Sequence, residues 1–130
     1  MKAFQGAVEQ QTLENKYFRQ VIFTGEHLQL VLMSLLPQTE IGDEVHGHTD
    51  QFFRIERGEA KFVLNEKDVL LARDGDAVVV PAGTYHNVIN NSKTEPLKMY
   101  TLYAPPNHPA RTVHKTKKEA DAAEAAEHHS

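Results

Sequence analysis

Residues 75–90 read Gly75-Asp76-Ala77-Val78-Val79-Val80-Pro81-Ala82-Gly83-Thr84-Tyr85-His86-Asn87-Val88-Ile89-Asn90. Pro81 stops a short valine run, Gly83 permits a tight turn, and an apolar alternation resumes at His86. Two strands joined in this way set His86 at the mouth of the sheet they help to close. The same pattern extends in both directions. From about residue 18 to residue 104, short apolar runs of period two are punctuated by Thr24-Gly25-Glu26, Arg57-Gly58-Glu59, Asn65-Glu66-Lys67-Asp68, Arg73-Asp74-Gly75-Asp76 and Asn91-Ser92-Lys93. The spacing predicts strands over 19–24, 27–36, 41–47, 51–57, 59–64, 68–72, 76–80, 86–91 and 97–104. The fold class is all-β, a barrel or sandwich with roughly six to eight core strands.

The run from His27 to Leu36 is apolar on both faces, so it should be buried on both sides or lie at a subunit contact. With Phe52 on the solvent side, this predicts a homodimer. After Ala104, the stretch Pro105-Pro106-Asn107-His108-Pro109 cannot continue a strand. Thr116 and Glu119 have capping-box spacing, and the alanines that follow predict a short exposed helix over 117–127. His128 and His129, at the frayed end, read as a solvated terminus and not as a metal tract.

At 130 residues the chain is one domain's worth. It divides into an N-terminal extension (1–17), the β domain (18–104) and a tail of linker and helix (105–130). Its 14 Lys and Arg against 18 Asp and Glu give a net charge of −4, which offers no basic field for a nucleic acid. No stretch approaches the ~18–20 apolar residues of a membrane span, and the first residues lack an uninterrupted apolar signal core, so a cytoplasmic protein with no membrane partner is expected. Without cysteine, any metal must be held by imidazole and oxygen ligands.

Two segments concentrate such ligands. Strand alternation lets Glu44, His46 and His48 share the interior face, and a bend at Thr49-Asp50 brings Gln51 to the same place. His86 opens the later strand. Imidazole, carboxylate and amide oxygen together suit a divalent zinc, iron, manganese or nickel ion better than calcium. Arg54 and Lys98 read as surface charges, and His27, His108 and His114 carry no site signal beyond residue type.

These residues resemble the cupin superfamily over about 37–104. The second cupin motif, Gly, five residues, Pro, one residue, Gly, two residues, His, three residues, Asn, is met in full by Gly75, Pro81, Gly83, His86 and Asn90. The first motif, Pro-Gly, five residues, His-x-His, three or four residues, Glu, six residues, Gly, is met with departures. Counting back from Gly58, the family's glutamate falls on Gln51. Taking Glu44 and His46 as the His-x-His pair leaves four residues before Gln51 and keeps the motif's proline at Pro37, whereas His46 and His48 leave only two. The resemblance therefore implies a shell of Glu44, His46, Gln51 and His86, with His48 as the alternative to Glu44. It also implies a jelly-roll barrel like that of the small mannose-6-phosphate-isomerase-like cupins.

With one carboxylate a dication keeps a charge of +1, which favours an anionic or enolisable small-molecule ligand. The expected function is metal-dependent isomerase, lyase or dioxygenase chemistry on a small oxygenated molecule. The alternative is a non-catalytic module that binds or senses a sugar or carboxylate, since one fold can host both.

Overall fold

A computed structural model of the chain describes residues 2–129, with side chains as far as residue 126. The side chains of His128 and His129 therefore lie outside the described residues. Nine strands form among the described residues: β1 (Arg19–Thr24), β2 (Gln29–Leu35), β3 (Asp50–Arg57), β4 (Glu59–Leu64), β5 (Asp68–Arg73), β6 (Ala77–Val80), β7 (His86–Asn90), β8 (Leu97–Ala104) and β9 (Val113–His114). A helix precedes them, α1 (Val8–Glu14), and another follows, α2 (Lys117–His129). One sheet has the order β6-β3-β8-β2-β1-β9 and the other β5-β4-β7, with every named pair antiparallel. This is the expected all-β jelly roll with a short C-terminal helix.

The core follows from strand parity. Val31, Met33 and Leu35 of β2, Phe53 and Ile55 of β3, Phe62 of β4, Val88 of β7, and Leu97 and Met99 of β8 form one buried cluster. The intervening residues of β3 and β8 are more exposed. β2 breaks this rule, because all seven of its residues are buried. The reason is α1, which packs against β2, β3 and β8 and buries Thr12 completely. A helix in the N-terminal extension was not expected from the sequence. Because this chain itself covers β2, that strand no longer supplies the surface for a homodimer.

The segment 41–47 corrects a second expectation. It runs beside β7 but is not a continuous strand, making isolated bridges at Glu40 to Ile89 and at Glu44 to His86. From Glu40 to Glu44 the chain takes four steps, and from Ile89 to His86 only three, so one extra residue is inserted. Gly42 lies within this bulge with φ +103°, and its N–H donates to Asn87 Oδ1 at 2.9 Å instead of to a ladder carbonyl. The bulge changes which side of the sheet the residues face. Glu40 is exposed beside the outward Ile89, whereas Glu44 pairs with the buried His86.

The tail crosses the end of the barrel that holds Glu44 and His46. The amide of Gln29, fully buried on β2, clamps it: Oε1 accepts from the N–H groups of Asn107 and His108, and Nε2 donates to the His108 carbonyl at 2.8 Å. β9 then pairs with β1, setting His114 opposite Arg19. The Thr116 hydroxyl accepts from Glu119 N–H at 3.1 Å, as the capping spacing predicts, and Ala120 of α2 is buried against the core. No helix among the described residues is long and apolar enough to cross a membrane.

Candidate metal centre

Three elements carry the candidate ligands. The bulged segment supplies Glu44 and His46, β7 supplies His86, and the first inward position of β3 supplies Gln51. Ligand atoms of Glu44, His46 and His86 all lie within 4.8 Å of one another. The turn at Pro81–Thr84 closes this corner, with Gly83 N–H donating to the His46 carbonyl at 2.8 Å from a backbone at φ +84°. Asp50, read as a turn former, accepts from Ala82 N–H at 2.8 Å.

Each side chain is aimed by a neighbour. His86 Nδ1 sits 2.9 Å from the Thr84 carbonyl, an acceptor that requires the proton on Nδ1 and leaves Nε2 with a free lone pair. Gln51, 3% exposed, donates from Nε2 to Thr101 Oγ1 at 2.9 Å, and that hydroxyl donates to the Phe52 carbonyl at 2.8 Å. The amide is thereby fixed with Oε1 buried and without a partner. His46 Nε2 is likewise buried without a hydrogen bond, in a 3.0 Å contact with Glu44 Oε2. Burial pushes the Glu44 carboxyl up, yet contact with His46 and the charges of His46, Arg19 and His86 outweigh it and hold the pKa below the usual value.

These features fit a metal ion. Two buried polar atoms without partners, one imidazole and one amide oxygen, would each cost roughly 1–3 kcal/mol if nothing met them. The 3.0 Å contact between Glu44 Oε2 and His46 Nε2 is short enough for both atoms to be ligands of one ion. His48 does not join them, because the chain turns at Gly47-His48 and leaves its side chain exposed.

The matching glycine, proline, histidine and asparagine positions, the jelly roll and this donor set coincide with one family, and a cupin domain is matched over residues 31–103. The chain belongs to the cupin family. This cupin is 48% identical over 128 residues to protein YrkC of Bacillus subtilis, covering 95% of the chain and 68% of that protein. It is also 46% identical over 104 residues to protein L612 of Acanthamoeba polyphaga mimivirus, covering 78% and 65%. It thus spans about two thirds of the length of both relatives. Among solved structures it resembles BH2720 from Bacillus halodurans, with a TM-score of 0.90 and 42% identity over 93% of this chain and 95% of that one. KdgF from Halomonas shares the fold, with a TM-score of 0.62 and 20% identity over 68% of this chain and 78% of that one.

Residues that sequence reasoning passed over complete the cupin's pocket. A cavity of about 380 Å³ is lined by Glu44 and His46, and also by Arg19, Asn107, His108 and His114. Burial, with the Arg19 charge adding to it, pulls the His108 pKa down to about 3, so the ring is neutral near pH 7. The Tyr103 hydroxyl and Asn107 Nδ2 approach His108 Nε2 at 3.3 and 3.5 Å, which makes that nitrogen an acceptor. Burial raises the pKa of Tyr103, so it keeps its proton. Arg19 was visible as a charge at a core position of β1, in phase with Val21. Nothing in the Pro-rich stretch around His108 marked it for the mouth. Arg54 and Lys98 lie away from the pocket: Arg54 pairs with Glu56 at 2.9 Å, and Lys98 donates to Ser34 Oγ at 2.9 Å and to the Asn15 carbonyl.

Proposed function

We propose that this cupin holds a divalent transition metal through Glu44, His46 and His86, with Gln51 Oε1 as a fourth donor, and is an enzyme acting on a small oxygenated, anionic molecule. The observation that carries the reading is the meeting of Glu44, His46 and His86, whose ligand atoms all lie within 4.8 Å of one another. When bound, such an ion supplies Lewis-acid polarisation of a carbonyl or, if it is iron, redox chemistry with dioxygen. The chain's own residues do the rest. Thr84 and Thr101 hold the His86 and Gln51 side chains in place, so little side-chain ordering remains to be done on binding. Tyr103 and His108 form a hydrogen-bonded pair beside the ligands, with the proton held on the phenol oxygen, that fixes the wall of the pocket. The tail across the mouth limits water entry. The segments DQFFR and GDAVVVPAGTYHNV support placement with the mannose-6-phosphate-isomerase-like cupins.

Elemental analysis of protein purified without a histidine tag tests the metal. About one equivalent of zinc, iron, manganese or nickel is expected, falling to background in His86→Ala. A wild-type protein that neither carries nor takes up any of the four overturns the reading.

A further inference from the structure

Arg19 is 6% exposed, borders the cavity beside Glu44 and His46, and has an Nε without a hydrogen-bond partner. Its Nη1 donates to His114 Nδ1 at 3.1 Å, a neutral partner, and the guanidinium lies over the Phe18 ring at 5.3 Å. Among the described residues, no carboxylate forms an ion pair with it. A buried guanidinium that meets the Glu44 carboxylate only through its charge, and whose hydrogen bond goes to a neutral nitrogen, carries a desolvation cost that a fixed anion would help offset.

We infer that Arg19 is the carboxylate anchor of this cavity, and that the ligand is a small 2-hydroxy or 2-oxo carboxylate whose second oxygen faces Glu44, His46 and His86. This inference rests on the metal reading for the second oxygen only, since the anchor is built from Arg19 itself. Three observations choose the ligand class. A guanidinium fork matches a carboxylate, and Arg holds such a group by parallel bonds where Lys would offer a point charge. Arg19 is the only Lys or Arg among the residues lining the cavity, so its charge suits a single carboxylate better than a phosphate dianion. A cavity of about 380 Å³ lies at the small end of ligand sites. Asp43 and Glu124 also border it, but both are exposed, so water screens them while Arg19 is buried. Asn107 and His108, clamped by Gln29, form the wall contributed by the tail.

The test follows the Arg19 Nε–H signal by NMR while lactate, propane-1,2-diol or inorganic phosphate is added, with and without zinc. Lactate should shift the signal saturably at millimolar concentration, and propane-1,2-diol, which lacks the carboxylate, should not. Arg19→Met should weaken lactate at least about tenfold while leaving zinc affinity undiminished, and Arg19→Lys, which keeps the charge without the fork, should fall between. If Arg19→Met does not fold, Arg19→Lys decides, and wild-type lactate affinity in it overturns the anchor. No lactate binding to the wild type at tens of millimolar, or tighter binding of phosphate than of lactate, also overturns it. The two readings fail separately: lactate binding that needs Arg19 in a protein that takes up no zinc removes the metal and keeps the anchor. Zinc binding with lactate held equally by Arg19→Met removes the anchor and keeps the metal.

Discussion

Gln51→Glu should move stability in opposite directions with and without metal. In the metal-free protein the change removes the donor that Gln51 Nε2 gives to Thr101 Oγ1 at 2.9 Å. It also buries a second carboxyl, at a position 3% exposed, beside the Tyr103 that the Glu44 charge also reaches. The lost hydrogen bond costs about 1 kcal/mol, and the added burial with like-charge repulsion a further 1–2 kcal/mol or so, giving about 2–3 kcal/mol in all. For a chain of 130 residues this lowers Tm by about 6–12 °C. With zinc the sign reverses. A carboxylate replaces an amide oxygen, the site's charge falls from +1 to zero, and each tenfold gain in affinity adds about 1.4 kcal/mol at saturating metal. Scanning calorimetry of both proteins at pH 7, with zinc and after chelation, reads both effects. The zinc-induced rise in Tm should be larger in Gln51→Glu by several degrees. An equal rise in the two proteins would refute the argument, because Gln51 Oε1 would then not face the ion.

Four further outcomes are expected. His86→Ala and Glu44→Ala should each lose metal by elemental analysis, whereas His48→Ala, altering an exposed turn residue, should keep it; loss in His48→Ala but not in Glu44→Ala would show the ligand register to be wrong. The His108 pKa is held near 3 in the folded chain and is about 6.5 unfolded, so its contribution to stability is present above pH 6.5 and is lost as pH falls toward 3. Allowing for water at its exposed edge, the loss approaches about 2–4 kcal/mol, and His108→Asn should give a flatter fall in urea midpoint between pH 6.5 and 4.5, identical slopes counting against this. Deleting Gly42 should restore regular pairing beside β7, turn Glu44 and His46 outward and abolish zinc uptake by calorimetric titration, with the far-ultraviolet spectrum retained. On the outer face of β6, β3 and β8, Val79 is 61% exposed beside the half-buried Phe52 and Tyr100, and a homodimer is expected in sedimentation at tens of micromolar; a strict monomer would remove this expectation.

The strands from 51 to 104 were legible in the sequence because alternation and turn residues act locally, and each strand there appears within a residue or two of its expected place. Glu44 and His46 were also legible, though the reasoning that found them was incomplete. Plain alternation put Glu44, His46 and His48 on one face, but the structure reaches the interior by inserting Gly42 and leaves it again at Gly47. Neither glycine announces by itself which strand phase it will interrupt. The residues of the tail were not legible for a different reason. His108 reaches the cavity through the Gln29 clamp, a contact spanning 79 positions in the chain, and no periodicity within 105–115 encodes it. Arg19 could have been found, since a charge in phase with core residues of a strand needs a partner.

The bulge at Gly42 also bears on how such sites arise and disappear. The carboxylate and imidazole face inward because of one additional residue in a segment that otherwise makes only isolated bridges to its neighbour. Losing or gaining a single codon there would turn Asp43 and Val45 inward in place of Glu44 and His46, while the β3–β8 and β4–β7 ladders stay paired as before. Among related barrels, then, a one-residue gap between the proline and the first ligand position of the motif is expected to reverse which side chains face the interior. That gap can be read in an alignment even where the ligands themselves have been exchanged, as glutamine stands here for glutamate.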